Sequence, residues 1–147
     1  MTTAVPAVRK AVRTWLENYE AGDKVLVAVS GGADSLALAH ALSVESKEFV
    51  ITVVGVTVDH QLQATSSTQA QKVVDQLSKF GLKCVVKKVT VDVKEGLEAS
   101  ARKVRYEALS EVAKQENAVA VFLGHTKDDQ AETVLLGLAR GSGTRSL

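Results

Sequence analysis

The sequence predicts a doubly wound α/β fold, with a parallel sheet held between helices in three α/β/α layers. Three observations carry that prediction. Valine-rich runs recur along the chain, and they are continuously apolar rather than alternating, as strands buried on both faces are. Helix-like segments separate the runs. Aromatics make up only 4% of residues while alanine and valine are abundant, which suits branched strands covered by alanine-rich helices. Finally, the run Val25-Leu26-Val27-Ala28-Val29 stops at Ser30-Gly31-Gly32 and hands over directly to a polar helix start, Ala33-Asp34-Ser35.

Each element follows in order. Val8, Val12, Trp15 and Leu16 recur at helical spacing and mark an amphipathic first helix, which Gly22 is expected to end. Lys24 to Val29 reads as the first buried strand and Asp34 to about Val44 as the next helix. The second strand is expected from Phe49 to Val58, followed by a helix from Thr65 to Phe80 that Gly81 stops. Leu82 to Val89 gives a third strand and Gly96 to about Gln115 a long helix. Ala118 to Leu123 gives a fourth strand, and Lys127 to Ala139 a last helix. Arg140 to Leu147 is a loop-like tail with no capping element behind it. Residues 1–147 are therefore expected to form one domain, the N-terminal piece of something longer. In such a sheet the ligand site lies at the carboxyl ends of the strands, near the point where the strand order reverses.

Composition narrows the function classes. A formal charge of +1 gives no general basic field for nucleic acid. Local basic clusters remain: Arg9, Lys10 and Arg13; Lys83, Lys87 and Lys88; and Arg102, Lys103 and Arg105. The first two read as solvated surface. The single cysteine, Cys84, excludes an internal disulfide or a CxxC pair, and its mid-strand position predicts an inert thiol. No apolar run approaches the roughly 20 residues of a membrane span, and the N-terminus has no apolar signal core. A cytoplasmic location without membrane contact is the expectation.

The chemistry gathers at the strand ends. A glycine turn between a buried strand and a helix lets backbone approach a ligand and points N–H groups outward, which suits phosphate. Ser30 and Ser35 add hydroxyls. Asp34 would repel phosphate, so it serves either as a helix-start residue or as a ligand for magnesium. The second strand ends in Val58-Asp59-His60, and the fourth in Gly124-His125 followed by Asp128, Asp129 and Glu132. Asp128 and Asp129 also fit a helix start on dipole grounds alone. In a helix, Asp128 and Glu132 would share a face and jointly hold a metal or an amine. His60 and His125 are either site residues or loop histidines of no special role. A zinc site built from them and Cys84 does not fit any structural zinc spacing. Arg102 and Arg105 lie three apart on one helix face, either solvated or clamping an anion.

At these residues the sequence resembles a known family. Ser30-Gly31-Gly32-Ala33-Asp34-Ser35 is similar to the SGGxDS PP-loop of the ATP-pyrophosphatases, which split ATP to AMP and pyrophosphate and adenylate an acceptor. Val58-Asp59-His60, the run from Glu98 to Tyr106 (EASARKVRY) and the run from Gly124 to Gly143 (GHTKDDQAETVLLGLARGSG) narrow this to a resemblance to the tRNA(Ile)-lysidine synthetases, over about Lys24 to Gly143. The resemblance implies ATP-driven ligation of L-lysine to C2 of the wobble cytidine in isoleucine tRNA with a CAU anticodon, with Mg2+. It further implies that the loop Ser30 to Ser35, Ala33 included, holds pyrophosphate and that Asp34 holds magnesium. Arg105, with Arg102, would steady the phosphates or the cytidine. Asp59, His60, Gly124 and His125 would line the nucleotide site. Asp128, Asp129 and Glu132 would contact metal and the lysine amine. Asp34, Arg105 and Asp129 form the implied catalytic set.

Two features depart from the family pattern. Gln61-Leu62-Gln63 stands where glycine, leucine and a basic residue are usual. The family also continues into C-terminal RNA-binding domains, so tRNA recognition is expected outside this chain. Other functions share the loop. Cytidine thiolases need cysteines to carry sulfur or a cluster, and one mid-strand cysteine argues against them. The amidotransferase synthetases for NAD and GMP do not suit the later motifs. A non-catalytic adenine-nucleotide sensor would bind ATP without releasing pyrophosphate and leaves the acidic cluster unexplained.

Overall fold

The elements run α1 (Pro6–Leu16), β1 (Lys24–Ala28), α2 (Ala33–Phe49), β2 (Thr52–Asp59), α3 (Ser66–Lys79), β3 (Lys83–Lys88), α4 (Leu97–Glu116), β4 (Ala120–His125) and β5 (Gln130–Val134). The structure, a computed structural model, describes residues 6–61, 65–90, 97–125 and 130–134, and within them the side chains of 8–33, 35–61, 65, 67–90 and 103–123.

The sheet has the order β3-β2-β1-β4-β5. The first four strands pair in parallel, and β5 pairs antiparallel with β4. The chain steps outward from β1 to β2 to β3 and then returns to the other side of β1. Crossovers of one hand running in opposite directions place their helices on opposite faces. The cores follow that rule. Val25, Val27 and Val29 of the β1 segment pack with Leu16, Leu38, Leu42 and Leu77 of α1, α2 and α3. Leu26 faces the other way and packs with Val56, Leu109 and Val112 under α4. The alternation explains why these strands are apolar throughout: each face has its own core.

Two local details hold the layers. Glu45 of α2 is buried, and Arg9 Nε of α1 donates to its Oε2 at 2.6 Å, with Arg13 Nε 3.6 Å from Oε1. A buried carboxylate is costly unless paired, so two cations one helical turn apart supply the compensation. Arg9, Lys10 and Arg13 are all exposed, so the surface reading of the first basic cluster stands, and Arg9 and Arg13 also pair with Glu45. In the second, Lys83 Nζ lies 3.4 Å from Glu116 and Lys87 Nζ 2.9 Å from Glu111. Gly55, mid-strand in β2, is the other detail, since a Cβ there would collide with Leu77 Cδ1 of α3.

Three boundaries differ from the sequence reading. α1 ends at Leu16, and Gly22 instead sits at φ +93 in the turn before β1. α2 runs on to Phe49 and closes at Val50, whose left-handed conformation (φ 56, ψ 45) lets its N–H bond Lys47 O. The apolar run Phe49-Val50-Ile51 hid that boundary. The largest difference is the expected helix from Lys127 to Ala139: its described part is strand β5. Ladder partners His125↔Gln130 and Val121↔Val134 form a hairpin that satisfies the backbone along β4's outer edge, and the β-branched pair Thr133-Val134 suits it. Among the described residues no helix is long and apolar enough to cross a membrane.

Candidate functional site

The loop after β1 is braced from within. Ser35 Oγ donates to Gly32 O at 3.0 Å and accepts the Ser30 N–H at 3.2 Å. Ser30 Oγ lies 3.3 Å from Ser35 Oγ and accepts the Gly32 N–H at 3.4 Å. Gly31 takes φ +96, a conformation that side chains avoid, which explains the first glycine of the pair. Gly32 is the N-cap of α2 in extended conformation and provides no side-chain cap. The first turn of α2 therefore presents uncapped N–H groups at the positive end of the helix dipole. Ser30, Gly31, Gly32 and Ala33 are exposed, while Ser35 is buried. Ser35 thus acts as the brace, and the groups facing outward are backbone and the Ser30 hydroxyl. Such a concavity binds anions, phosphate above all.

The end of β2 lies at the same edge of the sheet. Asp59 is buried, and its Oδ1 accepts the Gln61 N–H at 2.9 Å. Gln61 Nε2 donates to Val89 O at 3.1 Å, and the Val89 N–H donates to Asp59 O at 2.9 Å. His60 lies between them, with a buried Nδ1 that has no hydrogen-bond partner. Burial pushes its pKa below the usual histidine value, the charge of Arg105 pushes it further down, and Asp59 opposes both. Burial and the Arg105 charge thus both favour the neutral imidazole. Asp59 thus ends β2 with His60 directly after it, and the charge of Arg105 on α4 is felt at His60.

Gly124 and His125 form the carboxyl end of β4, which pairs directly with β1. The strand order reverses between β1 and β4, so the Ser30 loop and Gly124-His125 flank the switch point. Asp34 lies in the first turn of α2 and Arg102 one turn before Arg105 on α4. Their side chains lie outside the described residues, as do Asp128 and Asp129 entirely. Glu132 sits in β5 opposite Leu123, so the helical spacing expected between Asp128 and Glu132 does not hold. Among the described residues no group of three or more His, Cys, Asp or Glu side chains could hold a metal ion. Cys84 is half-buried, and burial pushes its thiol up to about 11, partly offset by a hydrogen bond with the Thr57 backbone. Sequence reasoning missed the Gln61–Val89 strap and the Gly55–Leu77 contact. Only a glycine inside an otherwise branched strand hinted at the second.

A family model of PP-loop domains matches residues 5–147. The tRNA(Ile)-lysidine synthase of Streptomyces coelicolor is 57% identical over 124 residues, 84% of this chain and 35% of that protein. Those of Thermobifida fusca and Rhodococcus erythropolis are 52% and 48% identical over 97% and 99% of this chain, and 44% and 43% of theirs. The chain spans about two-fifths of the length of these curated relatives. Among solved structures, the U34-tRNA thiolase NcsA of Methanococcus maripaludis, with its iron–sulfur cluster, matches with a TM-score of 0.72 over 84% of this chain and 45% of that one. At 20% sequence identity that likeness shows the fold alone.

Proposed function

We infer the function of this chain from one premise: it belongs to the PP-loop domain family. Such a domain handles ATP. We propose that it is the ATP-handling unit of a tRNA(Ile)-lysidine synthase, acting in the cytoplasm, with the main tRNA contacts made outside these residues. The observation that carries the reading is the uncapped start of α2 behind the Ser30-Gly31-Gly32 turn, at the switch point of the sheet. The identity to curated synthases selects the reaction.

In this reading Gly31 and Gly32 N–H groups, Ala33 and the Ser30 hydroxyl hold the pyrophosphate portion of ATP, with Ser35 bracing them. Arg105, with Arg102, steadies the α-phosphate and the cytidine. Asp59 and His60 on β2, and Gly124 and His125 on β4, form the walls of the nucleotide site. The wobble cytidine's C2 oxygen attacks the α-phosphorus, pyrophosphate departs, and the side-chain amine of lysine then displaces AMP at C2. The protein's part is positioning and charge stabilisation. Asp129, with Asp128 and Glu132, is the candidate to hold the lysine ammonium. Asp34, Asp128, Asp129 and Glu132 offer only carboxylate oxygens, a donor set that fits Mg2+, and the ion would neutralise the triphosphate. A sulfur-transfer reading fares worse, because the single cysteine is half-buried with its thiol held protonated.

The test is pyrophosphate release from ATP by the full-length protein. The expected result is release that requires isoleucine tRNA with a CAU anticodon and yields lysidine when lysine is added. ATP binding without release, or release that requires a sulfur donor, would overturn it.

A further inference from the structure

We propose that Gln61 is a positioning residue of the nucleotide site: it straps the turn after β2 to the end of β3 and so fixes the backbone that carries His60. The proposal rests on the nucleotide reading of this sheet edge. Gln61 is exposed and takes φ +57, a left-handed conformation that is uncommon for a residue with a Cβ and persists where the surroundings hold it. Two bonds hold it here. Its N–H donates to Asp59 Oδ1 at 2.9 Å, and its Nε2 reaches across to Val89 O at 3.1 Å. The last ladder partners of β2 and β3 are Asp59 and Lys88, and the Val89 N–H to Asp59 O bond follows them. The Gln61 side chain therefore adds one more rung to the sheet beyond its backbone ladder. The buried Asp59 carboxylate closes this turn, which makes it scaffold.

His60 is the residue enclosed by the turn. Asp59 is fixed on its N-terminal side by the ladder, and Gln61 on its C-terminal side by the strap. The ring, with its Nδ1 buried, is thus carried on backbone that is pinned on both sides. A hydrogen bond in an exposed turn adds little to stability, so the strap's effect is on orientation.

The experiment uses the full-length protein with Gln61→Gly and Gln61→Glu. Glycine relieves the left-handed conformation and removes the strap. Glutamate keeps the length but cannot donate to Val89 O at neutral pH. Both are expected to weaken ATP binding about five- to tenfold by calorimetry. Both are expected to shift the ring resonances of His60 in histidine-labelled protein while those of His40, on α2, stay in place. Gln61→Lys, which restores a donor of sufficient reach, is expected to recover both. Unchanged ATP affinity and an unmoved His60 resonance in the glycine and glutamate variants would overturn the proposal, whatever their stability. The resonance needs no ligand, so a wild-type protein that fails to bind ATP strikes the nucleotide reading and leaves the strap to be decided by His60.

Discussion

Asp34 follows the glycine turn by one residue and sits in the first turn of α2. An acid there gains from the helix dipole, so Asp34→Asn is expected to cost under about 1 kcal/mol of stability. In the full-length protein the same change is expected to cut tRNA-dependent pyrophosphate release by about 100-fold, the scale of losing one transition-state charge contact. Release near the wild-type rate would remove the magnesium role. Cys84 lies in β3 and is half-buried. With its thiol pushed up to about 11 from 9.0, its thiolate fraction at pH 8 is lower by about 100-fold, and alkylation slows in proportion. Iodoacetamide labelling should therefore be slow in the folded chain and should reach the rate of a free thiol in urea; fast labelling without urea contradicts the burial argument. The place of Cys84 within a strand was legible in the sequence. The left-handed Gln61 was not, because no local pattern marks a non-glycine residue for that conformation when its partner, Val89, is remote in sequence.

At the scale of elements, the contact between β2 and α3 turns on Gly55. A methyl group there meets the side chain of buried Leu77, so Gly55→Ala is expected to destabilise by about 1–3 kcal/mol through overpacking. Urea unfolding reads this directly, and the double change Gly55→Ala with Leu77→Ala should lose less than the two single changes added together. The amino ends of the strands are tied by charge. Glu116 closes α4 with Lys24 Nζ at 3.3 Å and Lys83 Nζ at 3.4 Å. Burial pushes its carboxyl up, but hydrogen bonds and charge from both lysines outweigh that and hold it below the ordinary value of 4.5. A depressed carboxylate stabilises the fold above its unfolded pKa, and that contribution is lost as pH falls through the lower folded value. The urea midpoint of Glu116→Gln is thus expected to lie below wild type at pH 7 and to converge with it as acid protonates the carboxylate; a constant gap contradicts the pairing. Parallel strands were readable because continuous apolar runs have few other uses. The end of α2 was not, because Phe49, Val50 and Ile51 suit a helix end and a strand start equally. β5 was missed because Ala131 and Glu132 favour helix, and only pairing along β4 decides otherwise.

At the scale of the whole molecule, the position of the candidate site's motifs on the sheet was legible and their contacts were not. Motifs at the ends of β1, β2 and β4 pointed to one sheet edge, and the strand order β3-β2-β1-β4-β5 puts the β1–β4 switch point there. The action of the Arg105 charge on His60 depends on how α4 crosses the opposite face, which no local run encodes. Charge is the property in which the molecule differs most from an RNA-binding domain. The net charge is +1, and Arg9, Arg13, Lys24, Lys83 and Lys87 are paired with glutamates. Arg102 and Arg105 are assigned here to the nucleotide site. Tight tRNA binding needs many phosphate contacts, each of which steepens the fall of affinity with salt. The 147-residue chain alone is therefore expected to bind ATP while holding tRNA only at the non-specific level, roughly micromolar or weaker at physiological salt, with a shallow salt slope. Fluorescence anisotropy with labelled tRNA at several salt concentrations measures both quantities. Tight binding by this chain that favours isoleucine tRNA over a methionine tRNA with the same anticodon would place recognition within these residues. The unpaired Lys88 and Lys103 on the surface would then be the first side chains to substitute, since neither is bound to an acid among the described residues.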